Sequence, residues 1–202
     1  MSLRALVLVL ALVPVDAASA PIGDAARGQA VANQVCAVCH GSDGNSPLPA
    51  NPNLAGQHPE YLYKQLREFK SGVRSNPIMM GMVTALSDED LRNVAAHYAA
   101  QRPRGLAAQD AHLVALGRKL FRGGNADKGI AACAGCHSPN GAGIPVQYPR
   151  IAGQHAEYTA NQLRAFRAGE RANDENQMMR SIASRLSDQE ISALADYLAG
   201  LR

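Results

Sequence analysis

The sequence predicts an all-α fold made of two copies of one helical domain. Three observations predict it. The chain repeats itself at long range. Apolar residues in each copy recur at the helical period. No stretch alternates apolar and polar residues in the manner of a half-buried strand.

The N-terminal stretch stands apart from the repeat. Residues 1–4 carry one positive charge, residues 5–15 ("ALVLVLALVPV") are apolar, and residues 16–20 ("DAASA") are mostly small. This is the build of a secretory leader. The apolar run falls short of the roughly 20 residues that a helical bilayer span needs. Residues 1–20 are therefore expected to be a signal peptide, cleaved after Ala17 or Ala20, and the rest to be exported and soluble.

Residues 52–76, "PNLAGQHPEYLYKQLREFKSGVRSN", return as residues 149–173, "PRIAGQHAEYTANQLRAFRAGERAN". The spacing is 97 residues and pairs Gln57 with Gln154, His58 with His155, Tyr61 with Tyr158 and Phe69 with Phe166. The same spacing relates "CAVCH" (36–40) to "CAGCH" (133–137). Downstream, "LSDEDL" (86–91) and "LSDQEI" (186–191) lie 100 apart, which puts three extra residues in the second copy near "DENQ" (174–177). A repeat this long is a duplicated domain rather than a solenoid unit. The expected domains are 21–102 and 111–202. Residues 103–110 join them, where Pro103 and Gly105 interrupt the pattern.

Each copy reads as helical. Leu91, Val94, Ala95 and Tyr98 fall at i, i+3, i+4 and i+7 on one face. Ser87 with Asp90, and Ser187 with Glu190, form capping-box signatures at the start of matching helices. Leu62, Leu66 and Phe69 mark an earlier helix that Gly72 ends, as Gly169 does in the second copy.

The formal charge is +3 and the basic residues are scattered. With no basic run and no Gly-rich phosphate loop, nucleic acid is not an expected partner. Aromatic residues make up only 4%, with no Trp. Two domains of about 90 residues each would have thin cores at that composition.

All four cysteines lie in the two Cys-x-x-Cys-His units. This is the attachment signature of c-type haem. Two thiols one helical turn apart can each form a thioether with a haem vinyl group, and the following His projects toward the iron. Cys36, Cys39, Cys133 and Cys136 are thus expected to attach two haem c groups, with His40 and His137 as proximal ligands. A zinc site made by all four cysteines, two structural disulfides, and a thioredoxin-like dithiol are the alternatives. The last wants βαβ surroundings, and two disulfides would give the adjacent histidines no role. Two large apolar cofactors also account for the thin cores.

The ordered segments "CAVCHGSDGNSP", "NLAGQ", "YLYKQL", "FRGG", "CAGCHSPNGAG", "YTANQLRAFRAGERAND" and "MMRSIASRLS" span nearly all of the chain after the leader. On these segments the sequence resembles the dihaem cytochrome c4 family. The resemblance implies two tandem class I cytochrome c domains related by approximate two-fold symmetry. It implies His/Met ligation of each haem and electron transfer in the bacterial periplasm. The implied partners are a membrane quinol-oxidising cytochrome complex and terminal oxidases or reductases.

Three methionines crowd residues 78–82, "IMMGM". Aligning the copies on Leu86 and Leu186 sets Met79 against Met179, Met80 against Arg180, Met82 against Ile182, and Ile78 against Met178. Only one register supplies a methionine in both copies, and the family pattern agrees. Met79 and Met179 are the expected distal ligands. Met82 is expected to fill space as Ile182 does, a common role for methionine, and Met80 has no assigned role. His58 and His155, each 18 residues past the proximal histidine, form a rival bis-His set. A proximal histidine usually donates its second N–H to a carbonyl or carboxylate. The resemblance suggests the carbonyl of Pro47, although Pro145 breaks the register by one. Gln57, Tyr61, Gln154 and Tyr158 are candidates for haem propionate contacts, with helix capping and packing as the plainer alternative.

The expected function is a soluble, monomeric electron carrier that is not an enzyme, with peripheral membrane association left open. The sequence offers no nucleophile–base pair and no paired carboxylates. A dihaem peroxidase-like enzyme with one open iron, and a subunit docked on an oxidase or dehydrogenase, are the competing readings.

Overall fold

A computed structural model describes residues 22–202. The leader expected at residues 1–20 lies outside the described residues. The first half runs through α1 (Ala25–Val31), a π-helical turn (Ala32–Cys36), α2 (Ala37–His40), α3 (Pro59–Ser71), α4 (Pro77–Thr84) and α5 (Asp88–Ala99). The second runs through α6 (Ala111–Gly123), a 3₁₀ turn (Ala126–Lys128), α7 (Ala134–His137), α8 (Ala156–Ala168), a 3₁₀ turn (Glu175–Gln177), α9 (Met178–Ala183) and α10 (Asp188–Gly200). Among the described residues the only β pairing is two isolated bridges, Asn125–Ile130 and Ile144–Tyr148. The all-α expectation holds.

Local chemistry sets the helix boundaries where the sequence placed them. Ser87 Oγ accepts from the Asp90 amide at 3.1 Å, while Asp90 accepts from the Ser87 amide at 2.9 Å. Ser187 and Glu190 repeat this box at the start of α10. Each box satisfies two amides that a helix start leaves free. Gly72 and Gly169 end α3 and α8 in the left-handed conformation, with φ of 79° and 76°.

The first and last helices of each domain cross at a glycine. A Cβ on Gly28 would fall 1.9 Å from the Asn93 carbonyl oxygen of α5. A Cβ on Gly117 would fall 2.1 Å from the Ala193 carbonyl oxygen of α10. Only glycine permits this approach. In the second domain the crossing adjoins a core of Leu120, Phe121, Ile191, Leu194 and Leu198, against which Cys133 and Ile182 pack. The first domain has two apolar clusters. One joins Ala32, Leu62, Val94, Ala95 and Tyr98 to Cys36; the other joins Phe69, Val83 and Leu91 to Met79. Met82 is 47% exposed and does not share the packing role of Ile182. It sits on the outer side of α4, where burial falls to Val83 instead.

The three extra residues of the second copy form the 3₁₀ turn before α9. Asn176 and Gln177 there take left-handed φ of 50° and 57°. Asp174 holds the turn to α9 by accepting from the Arg180 amide at 3.0 Å and from its guanidinium Nε at 2.7 Å. In the first copy Asn76 does this work directly, capping α4 through the Met79 amide at 3.0 Å. Residues 100–110 run between the halves and are pinned at both ends. Asp43 accepts from Arg104 at 2.7 Å, and the Asp196 carboxylate accepts from the amides of Gln109 and Asp110 at 2.8 and 3.0 Å.

Gly117→Val is expected to destabilise the haem-loaded protein by about 3 kcal/mol or more, because the added side chain meets backbone that cannot rotate away. Denaturant unfolding followed through the second domain measures this. An unchanged midpoint would refute the glycine crossing.

Candidate functional site

The chemistry begins on two short helices. Cys36 closes the π-helical turn, and Cys39 and His40 follow on α2. Cys133 leads α7, which carries Cys136 and His137. Both histidines are buried, at 7% exposure. His40 Nδ1 lies 3.0 Å from the Pro52 carbonyl oxygen, and His137 Nδ1 lies 2.9 Å from that of Pro149. A carbonyl can only accept, so Nδ1 carries the proton and Nε2 keeps its lone pair for a metal. Burial pushes the pKa of both rings down, against the opposing pull of the proline carbonyls. The neutral, ligating form is favoured.

The carbonyl partner corrects a sequence expectation. His40 meets Pro52, not Pro47. The loop after α2 turns back through Ser46, whose hydroxyl donates to the Cys39 carbonyl at 2.7 Å, and so presents Pro52 to the ring. The signal was in the repeat: Pro52 and Pro149 keep the 97-residue spacing that Pro47 and Pro145 break.

As free thiols, Cys36 and Cys133 are each pushed up to about 11 by burial. Thiols held protonated are poor nucleophiles and poor metal ligands. All four cysteines are unpaired. Among the described residues no three of His, Cys, Asp and Glu gather as a metal cluster. The four cysteines therefore do not converge on one site, as a zinc ion shared by all of them would require.

Met79 packs against Phe69, Val83 and Leu91. Met80 and Met179 are half-buried on α4 and α9. Met178 Sδ lies 3.9 Å from the Tyr148 hydroxyl, and the Tyr148 ring meets His137 edge-on at 6.3 Å between centroids.

The two halves meet through residues that the repeat had paired. Gln57 reaches across to Arg150, donating to its carbonyl and accepting from its amide, both at 2.8 Å. Gln154 does the same to Asn53, at 3.0 and 2.8 Å. Arg74 donates to Tyr158 and Gln162 of the other domain, and Arg171 to Tyr61 and Gln65. Each guanidinium also lies over its own domain's phenylalanine, Arg74 on Phe69 and Arg171 on Phe166. This exchange of equivalent contacts is what an approximate two-fold axis produces. Burial would raise the Tyr61 pKa, but the Arg171 and Arg74 charges outweigh it and hold the phenol below its usual value.

Gln57, Tyr61, Gln154 and Tyr158 are therefore interface residues, with their polar groups committed across the domains. His155 is engaged too, its Nε2 lying 3.0 Å from the Ser46 carbonyl oxygen of the first domain. His58 differs. The register mate of Ser46 is Gly143, whose carbonyl already accepts from Ser138. His58 Nε2 is left buried without a protein partner, and so is Arg150 Nε. The two residues adjoin, since both their amides donate to Gln57 Oε1. Sequence reasoning did not single out Arg150; its register mate is Asn53, so the repeat gave no cue.

The donor set fits haem c. In each domain two thiols lie about one turn apart, followed by a neutral imidazole with Nε2 available. In the first domain Cys36 and Met79 belong to separate apolar clusters. Unpartnered buried donors suit the acidic edge of a porphyrin. Two such sites in one chain define a c-type cytochrome of two haem domains. The family model described as Cytochrome c matches residues 25–99 and again residues 114–202. The chain is 49% identical to a cytochrome c4 of Thiocapsa roseopersicina, over 92% of this chain and 97% of the relative. It is 42% identical to a thiosulfate dehydrogenase electron acceptor of Stutzerimonas stutzeri, over 84% of this chain and 80% of that protein. The crystal structure of reduced recombinant cytochrome c4 from Pseudomonas stutzeri superposes with a TM-score of 0.86 at 46% identity, covering 89% of this chain and all of that one. The chain belongs to the cytochrome c4 family: a dihaem electron-transfer cytochrome of two tandem class I domains with two covalently bound haem c groups.

Replacing Arg171 with Gln removes its bonds to Tyr61 and Gln65 while leaving both domain cores intact. The loss is expected to cost about 1–3 kcal/mol and to split thermal unfolding into two transitions, read by calorimetry. A single unshifted transition would show that the network does not couple the domains.

Proposed function

We propose that this protein is a periplasmic electron carrier in which Cys36 and Cys39 attach one haem and Cys133 and Cys136 the other. His40 and Met79 ligate the first iron; His137 and Met179 ligate the second. The carrying observation is the pair of register-matched histidines, each held by Nδ1 on a proline carbonyl with Nε2 left to ligate. The methionine assignment rests on the repeat. Met79 answers Met179 from helices that precede the capped α5 and α10 by the same distance, while Tyr148 engages the sulfur of Met178.

The bound haems supply one-electron exchange between ferric and ferrous iron. The chain's own residues decide what else can happen there. A thioether opposite an imidazole raises the reduction potential. Met79 and Met179, one methionine in each copy, would hold the irons together with His40 and His137 and would keep oxygen and peroxide out. That is the carrier arrangement, and it gives no support to a peroxidase with one open iron. Arg150 and His58 are the donors we assign to haem carboxylates, in place of the glutamines and tyrosines that bridge the domains.

The domains we assign are 21–102 and 111–202, joined by 103–110. The leader-like residues 1–20 support export to the periplasm. No helix among the described residues is long and apolar enough to cross a membrane. A membrane quinol-oxidising complex as donor and a terminal oxidase or reductase as acceptor follow from the family. The relative named as a thiosulfate dehydrogenase electron acceptor adds a dehydrogenase of that kind as a second class of donor.

Visible spectra test the ligation. Met79→Ala and Met179→Ala should each abolish roughly half of the weak thioether-to-iron band while both haems stay attached, and each should open one iron to carbon monoxide when reduced. Met80→Ala and Met178→Ala should change neither. If Met80→Ala or Met178→Ala removes the band instead, the register is wrong by one. Carbon monoxide binding to the unsubstituted reduced protein would favour the enzyme.

A further inference from the structure

The hydrogen bonds of the two proximal histidines continue past the proline carbonyls. The Pro52 carbonyl that accepts from His40 belongs to the same peptide group as the Asn53 amide. That amide donates to Gln154 Oε1, in the other domain, at 2.8 Å. The mirror arrangement is complete. His137 donates to the Pro149 carbonyl, and the Arg150 amide of that peptide group donates to Gln57 Oε1 at 2.8 Å. In each half a single peptide plane lies between the proximal imidazole of one domain and a glutamine of the other.

We propose that Gln154 and Gln57 are positioning residues that tune the haem of the opposite domain through this peptide group; the inference rests on His40 and His137 being the proximal ligands. An acceptor on the N–H end of an amide polarises it, and its oxygen becomes a stronger acceptor. A stronger acceptor on Nδ1–H makes the imidazole a better donor to iron. A better donor stabilises the ferric state, so each glutamine lowers the potential of the haem across the interface. The glutamines are well held for this. Each also donates to the carbonyl of the residue whose amide it accepts, and each accepts from the amide that follows it at 3.0 Å. Both acceptor contacts on Oε1 come from backbone, so its position is fixed from both domains. The arrangement also makes the potential of either haem depend on the two domains staying docked.

The test is a crossed pattern in the full dihaem protein. Gln154→Leu should raise the potential of the haem on Cys36 and Cys39 and leave the other unchanged. In the reduced, diamagnetic protein it should move the Nδ1 proton resonance of His40 upfield, the sign of a weaker hydrogen bond, without moving that of His137. Gln57→Leu should do the reverse, and serves if Gln154→Leu does not yield folded protein. Tyr158→Phe is the control: it removes an interface hydroxyl that bonds Arg74 but touches neither peptide group, so a merely loosened interface would show there too. A change on the haem of the substituted residue's own domain, equal changes on both haems, or the same change in Tyr158→Phe would overturn the proposal, and so would no change at all. The ligation reading is checked beforehand on the unsubstituted protein by its spectrum, so its failure is seen separately.

Discussion

A buried imidazole that must stay neutral, in one tautomer and in one orientation is the constraint on which the rest of the structure depends. The Nδ1–carbonyl bonds of His40 and His137 meet all three demands at once. Burial alone would favour the neutral ring but leave its tautomer free. The carbonyl alone, in water, would compete with solvent. Together they leave Nε2 as the nitrogen whose lone pair is available to a metal. The loops that carry Pro52 and Pro149 must then be rigid, and each is held from both sides. Within its domain, Gly44 accepts from the Leu54 and Ala55 amides, as Gly141 does from those of Ile151 and Ala152. From outside, the other domain's glutamine grips the next residue.

The interface therefore completes each site as well as joining them. Its centre is charged in an unusual way. Arg74 and Arg171 are held by neutral partners and aromatic rings, and Glu68, which bonds Lys64 and Asn173, is the carboxylate of the network. Planar guanidiniums suit such a place, since they spread charge and bond several acceptors in one plane. The duplication explains how it arose: one set of residues, used twice about an axis, makes every contact reciprocal. Departures from reciprocity carry the differences between the halves. Ser138 in place of Gly41 takes up the carbonyl of Gly143, and His58 is freed where His155 is bound.

Much of this was legible in the sequence. The helices announced themselves through capping boxes, terminal glycines and apolar spacing, all local signals that local physics obeys. The covalent sites were legible because four cysteines had one pattern between them. The interface was not. Gln57 and Tyr61 read as candidates for haem propionate contacts because a repeat marks a residue as constrained without saying by what. Their partners lie about a hundred residues away, and no periodicity encodes such a contact. Met82 shows the opposite error. A methionine reads as core filler, but the turn of α4 that buries Val83 leaves it exposed. Gly28 and Gly117 escaped notice for a third reason. The segment between first helix and first cysteine is longer in the second copy, so the two glycines fall outside the common spacing.

The central claim is that each iron lies between a carbonyl-held histidine and the methionine its repeat mate specifies. Proton NMR of the fully reduced protein tests this most directly, because a methionine methyl over a haem plane is shifted far upfield by the ring current. The account predicts two such methyl signals, assigned through their spin systems to Met79 and Met179. A single signal, or assignment of either to Met80 or Met178, would contradict it.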